Sequence, residues 1–201
     1  MFSNNQSQFK ASDFTGIEKG LGNEEYPFMG TVKANEGSAI NLPINFALFE
    51  YLSDSANLDT IIFARPEEKN SALLAENVIH GDVASANKWK IKADPVDDSG
   101  ATNYKSFTSV IGNMKNGAKV DLDITLRNDV KVEVSGGDNA GLACGTMDEN
   151  ASLAVSLSSS LLDVSGKSNA GVFVGKMSAD ATLNIDKCNT CLLYTSPSPR
   201  D

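Results

Sequence analysis

The sequence predicts an all-β chain, a parallel β-helix or β-solenoid with coils of about thirty residues. Three observations carry this expectation. A block of sequence recurs at an offset of 30, apolar and polar residues alternate within each copy, and the alternating runs are bounded by Gly, Asn and Asp.

The recurrence is clearest near the C-terminus. VSGGDNAGLACGTMDENASLAVSL begins at Val134 and VSGKSNAGVFVGKMSADATLNI begins at Val164. They coincide at Val134/Val164, Ser135/Ser165, Gly136/Gly166, Asn139/Asn169, Ala140/Ala170, Gly141/Gly171, Gly145/Gly175, Met147/Met177, Ala151/Ala181 and Leu153/Leu183, without a gap. A weaker copy lies at an offset of 33, where Gly112, Met114, Ala118, Val120 and Leu122 take the places of Gly145, Met147, Ala151, Leu153 and Val155. A fainter echo near the start, FMGTVKANEGSAINL, supplies Gly30, Val32, Ala39, Ile40 and Leu42.

Within the copies, Ala151 to Leu157 and Val120 to Leu126 alternate apolar with polar residues. A period of two marks strands with one buried face. Gly-Gly-Asp-Asn, Lys-Asn-Gly and Gly-Lys-Ser-Asn separate them, and these residues form turns because they tolerate positive φ. One coil of two or three short strands cannot bury its apolar side alone, so successive coils must stack, each adding about 4.8 Å. Equivalent side chains then form ladders: Met114, Met147 and Met177 in one, Val134 and Val164 in another, and Cys144 over Val174 as a small core residue.

This reading divides the chain into an N-terminal segment with a first coil or cap (1–42), an insertion or capping region (43–105) and solenoid repeats (106–190). In the insertion, ALFEYL at 47–52 has apolar residues at helical spacing and points to a short helix, whereas LDTIIFA at 58–64 and KWKIKA at 88–93 read as strands. Caps are needed where a stack would otherwise expose its edge.

Residues 191–201, CLLYTSPSPRD, resemble in one reading frame the translation of a transposase-type sequencing adapter. They are expected to be a non-native tail and are set aside from fold reasoning. The competing reading is a Ser-Pro linker. Without the tail, the Cys188-x-x-Cys191 pair loses its metal-like or redox meaning. Cys144 and Cys188 remain, as one disulfide or, preferably, as two unpaired buried thiols.

The chain has 201 residues, 41% of them hydrophobic, which suffices for a core. Its 26 acidic against 17 basic residues give a net charge of −9, dispersed and without a basic cluster. That argues against nucleic acid and against an anionic membrane face as partners. No run approaches the roughly 18 apolar residues of a membrane span. The N-terminus lacks the basic start and apolar stretch of a signal peptide, but a tail of foreign origin implies a broken gene in which Met1 carries little weight as the true start.

The NAGLACG and NAGVFVG segments, each followed by Met and an alternating strand, resemble the GLUG-type repeats of large secreted and wall-attached bacterial proteins. Residues 106–188 carry the likeness, with Val172 where the motif has Leu. The order YPFMGTV, INLPINFALFEYLSD, SFTSVIGNM and the two NAG segments also looks like the N-terminal part of long repeat proteins on gut Firmicutes surfaces. The resemblance implies an extracellular or cell-surface location, and a host or matrix glycan or protein as the class of ligand.

Sites of chemistry are sparse. His80, in ENVIHGD, is the sole histidine; it has no motif around it and reads as a surface or strand-end residue. Asp94, Asp97 and Asp98, beside Ser99-Gly100, have the composition of a turn. Asp121 and Asp123 fall on the outer face of an alternating strand. Gly136-Gly137-Asp138-Asn139 only superficially approaches a calcium-binding nonapeptide. No catalytic, cofactor-binding or metal-ligating residue is singled out, and none of these cofactors is expected.

The expected function is therefore non-catalytic: a structural or adhesive module of a large surface protein, serving as stalk or ligand-presenting scaffold. A fragment of a β-helix carbohydrate-active enzyme or secreted peptidase, whose catalytic part lies elsewhere, is the second reading. A cytoplasmic β domain is the third, and a clean upstream sequence beginning at Met1 would favour it.

Overall fold

The computed structural model describes residues 14–15, 33–34, 38–40, 47, 49–58, 60–63, 72–81, 84–93, 108–126, 131–134 and 138–192. Its strands are β1 (Phe14–Thr15), β2 (Lys33–Ala34), β3 (Ser38–Ile40), β4 (Phe49–Ser53), β5 (Asn57–Leu58), β6 (Thr60–Phe63), β7 (Ala72–Ile79) and β8 (Asn87–Ala93). They continue as β9 (Ser109–Met114), β10 (Lys119–Leu126), β11 (Lys131–Val134), β12 (Asn139–Gly141), β13 (Cys144–Met147), β14 (Ser152–Val164), β15 (Asn169–Gly171), β16 (Val174–Met177) and β17 (Thr182–Leu192).

Every described pairing except β1 with β2 is parallel, and each joins strands of successive coils. One sheet runs β3-β6-β8-β10-β14-β11 with β17 on β14; a second runs β4-β7-β9-β13-β16; β12 pairs β15 in a third. A coil therefore passes through three strands, as in β12, β13 and β14, and then repeats them in β15, β16 and β17. This is the parallel β-solenoid expected from the repeat.

The register matches the sequence offsets. Leu153 pairs Leu183, an offset of 30, and Val120 pairs Leu153, an offset of 33. Met114, Met147 and Met177 stand in one ladder, Val134 beside Val164, and Cys144 between Ile111 and Val174. The inner columns are apolar throughout: Trp89, Leu122 and Val155 form one, Ile91, Ile124 and Leu157 another, all buried. Stacking turns small burials into one continuous core, each Leu, Ile or Val contributing about 1.5–3 kcal/mol.

Within 43–105 the expected short helix is not formed among the described residues. Over 49–53 the segment ALFEYL is strand β4, not a helix, with Phe49 and Leu52 buried and Tyr51 exposed. Six residues are too few for a helix to sustain itself, whereas β7 offers a ready edge, in which Phe49 pairs Ala75 and Leu52 pairs Val78. Strands β4, β6, β7 and β8 lie in the same sheets as the later coils, and so belong to the stack itself. The strands expected in 58–64 and 88–93 are β6 and β8; β7 was not anticipated. Of the early echo, Ala39 and Ile40 lie in β3, while Gly30, Val32 and Leu42 fall outside the described residues.

The Asn-Ala-Gly-x-x-x-Gly motif has a steric basis. Each copy turns from a three-residue strand into the next through a tight corner. A Cβ on Gly141 would lie 2.5 Å from the Gly175 nitrogen, and one on Gly145 would lie 2.7 Å from the Gly112 oxygen. Only a residue without Cβ lets the backbones of adjacent coils approach so closely.

The corner after the methionine ladder is also repeated. Gly117, Asn150 and Asp180 occupy its positive-φ position, at φ 77°, 58° and 58°. These three residue types tolerate the left-handed region best. Ala118, Ala151 and Ala181 close the turns by donating to the carbonyls of Lys115, Asp148 and Ser178.

Strand β17 ends at Leu192, and its last residues, Cys191 and Leu192, pair with Leu161 and Leu162. Thus the first two residues of the adapter-like segment extend a strand, which any chain can do through its backbone. Residues 193–201 lie outside the described residues.

Candidate functional site: a buried carboxylate at a coil corner

Strand β4 ends in a turn, Ser53 to Ala56, closed by Ala56 N donating to Ser53 O at 2.9 Å. Asp54 sits inside this turn with 0% exposure. Its Oδ1 accepts from Gly81 N at 2.7 Å, and its Oδ2 from Lys119 N at 2.9 Å. His80 Nδ1 is 3.0 Å from the same Oδ2. The Asp54 backbone is engaged as well: its N–H donates to Ile79 O, and its carbonyl accepts from Asn87 Nδ2, both at 2.9 Å.

The cause lies in the connections. Residues 115–118 join β9 to β10, but residues 80–86 join β7 to β8, a longer excursion. Elsewhere the first amide after the corner donates to the alanine carbonyl of the preceding coil, Ser152 N to Ala118 O and Thr182 N to Ala151 O. Lys119 N instead donates to Asp54. The carboxylate takes the place that the alanine carbonyls hold at the other corners, satisfying a partly buried donor.

Beside it, Trp89 is fully buried and its Nε1 donates to Ala56 O at 2.8 Å, satisfying the one polar atom of the largest core side chain.

Chemically, a carboxylate touching a histidine nitrogen is the geometry that orients a general base. Here that carboxylate is also committed to two backbone amides. The nearby hydroxyls, Ser53 and Ser55, are 2.7 Å from each other. The set is a corner clamp spanning three coils. Sequence reasoning placed His80 at a strand end, and it immediately follows β7 with its side chain 32% exposed. Asp54 was missed. Its signal was an Asp between two serines directly after an apolar run, a turn-forming arrangement.

The other candidates remain apart from this corner. Asp121 and Asp123 are on the outer face of β10, in register with Lys88 and Lys90 of β8; Lys88 Nζ is 3.8 Å from Asp121 Oδ2. Asp138 is exposed and its carbonyl accepts from Ser168 N and Asn169 N. Asp94, Asp97 and Asp98, like Gly136 and Gly137, fall outside the described residues.

Cys144 is buried and Cys188 exposed, and both are free. The expectation that both are buried is therefore corrected for Cys188. It does stack on Leu157 after a β-bulge at Asp186, but its side chain is exposed. Burial pushes the Cys144 thiol up to about 12, and its Sγ lies 3.0 Å from Thr146 O. A thiol so placed is inert, since the thiolate is the reactive form.

Among the described residues no group of three or more His, Cys, Asp or Glu is placed to hold a metal ion, and no helix is long and apolar enough to cross a membrane. The chain matches no family model, no curated protein and no solved structure.

Proposed function

We propose that this chain is a non-catalytic module of a large bacterial cell-surface or secreted protein, acting as a stalk or as a scaffold that presents ligand-binding loops. The observation that carries it is the register: columns of buried apolar side chains run from coil to coil without a break, from Leu52 and Val78 through Met114 and Met147. The clustered polar contacts bind coil to coil, as at Asp54, and the outer face is tiled by cross-strand pairs such as Lys88 with Asp121. Stacked coils give length and stiffness in proportion to their number, the property a stalk requires. The likeness of the NAG segments to GLUG-type repeats supports the bacterial surface as its setting.

Two measurements test the proposal. Small-angle scattering on a series of chains lengthened by copies of 163–192 should show a maximum dimension that grows by about 4.8 Å per added coil, and a dimension that does not grow would overturn the stalk. Antibodies to residues 108–158 should label intact cells carrying the gene; labelling only after lysis would overturn the surface assignment.

A further inference from the structure

A coil in a solenoid touches the coil before it and the coil after it, so stability is close to a sum of single coils and neighbour interfaces, and coils can open separately. The NAG coils are joined in this way: Asn169 Nδ2 donates to Asn139 Oδ1 at 2.6 Å, one level away. Asp54 departs from it. Fully buried in the coil of β4, its carboxylate accepts from Gly81 N in the coil of β7 and from Lys119 N in the coil of β9 and β10, two levels away. None of the three coils can open without leaving an oxygen of a buried carboxylate short of a donor.

Further side-chain bonds join the same three coils in sequence. Asn77 Nδ2 donates to Glu50 O and Asn113 Nδ2 to Glu76 O, both at 3.2 Å. Asn77 and Asn113 pair in register, so one geometry is repeated from coil to coil. Trp89 Nε1 donates to Ala56 O, and Asn87 Nδ2 to Asp54 O. Through Asp54 the connection from β7 to β8 is held at its entry, by His80 and Gly81, and at its exit, by Asn87. Its length therefore does not loosen the stack.

We propose that Asp54 makes the coils from β4 to β10 one cooperative block, which opens as a unit, while the NAG coil of β12 to β14 opens separately from it. The coupling follows from the stacked fold and is independent of where the protein acts. In a module of stacked coils such a block is a firm base beside repeats that respond one at a time.

Native-state amide exchange of the full chain at rising denaturant, read by mass spectrometry, tests this. Amides of β4, β7, β9 and β10 should share one dependence on denaturant, and those of β13 and β14 should follow another. In Asp54→Ala the block should divide, with β4 and β7 exchanging at least tenfold faster than β9 and β10. Lys119→Pro deletes the donor two levels away at the first residue of a strand, where proline is tolerated, and should divide the block in the same place. Lys119→Ala keeps the N–H and should leave it whole, and this pair decides the matter if Asp54→Ala does not fold. Different dependences for β4 and β10 in the unsubstituted chain would overturn the proposal. So would a block that stays whole in Lys119→Pro, or a single dependence shared by all these strands and lowered equally by the substitutions.

Discussion

The Asp54 carboxylate accepts the backbone N–H of Lys119, sixty-five residues further along, at 2.9 Å. This bond ties the corner after β4 to a coil two levels away, past the longer connection between β7 and β8.

Asp54→Ala leaves the Gly81 and Lys119 amides and His80 Nδ1 without this acceptor, at a cost of about 3 kcal/mol or more. His80→Ala, which removes a partly exposed donor from a carboxylate that keeps two others, costs about 1 kcal/mol. Urea denaturation followed by circular dichroism measures both; equal losses would show that Asp54 serves His80 and not the backbone.

The glycine corner separates two kinds of steric demand. Gly145→Ala sets a methyl group 2.7 Å from the Gly112 carbonyl oxygen and costs about 2–3 kcal/mol. At the positive-φ corner, Asn150→Gly changes stability by less than about 0.5 kcal/mol, whereas Asn150→Val costs about 1–2 kcal/mol. Thermal or chemical unfolding of the three variants checks the ordering.

Burial against exposure along one ladder predicts unequal truncations. Met147→Ala removes a fully buried side chain and costs about 2–5 kcal/mol, while Met177→Ala, at a position 40% exposed, costs about 1 kcal/mol. Similar losses at the two positions would mean that Met177 is covered in solution.

Cys144 makes stability depend on alkaline pH. Its thiol is raised in the folded chain from 9.0 to about 12, so the folded state holds a proton that the unfolded state begins to release near pH 9. Its contribution is complete below pH 9 and is lost progressively as the pH rises toward 12. Cys144→Val, which places a residue like Val174 in the same column, should flatten that part of the pH profile relative to the unsubstituted chain. Iodoacetamide at pH 8, read by peptide mapping, should modify Cys188 readily and Cys144 only after unfolding.

The ladders were legible in the sequence because a solenoid converts sequence offset directly into spatial position. Once Val134 was aligned with Val164, the pairing of Met147 with Met177 and of Cys144 with Val174 followed from counting. The alternation in Val120 to Leu126 likewise assigned its inner and outer faces. The corner at Asp54 was not legible. No periodicity reports that residues 80–86 form a long connection, or that a side chain then replaces a carbonyl.

The sequence by itself determined the stacked architecture of the repeats and the register of ladders such as Leu153 with Leu183, since identical residues at a fixed spacing stack wherever a coil must hide its apolar face on its neighbour; the bulge that shifts Leu157 onto Cys188 was not among them. Only the tertiary structure decided that Phe49 to Ser53 extend as a strand, that β7 exists, and that Asp54 closes the gap above it. Those outcomes depend on which edge and which unpaired amide lie nearby, and proximity between Asp54 and Lys119 is created by folding.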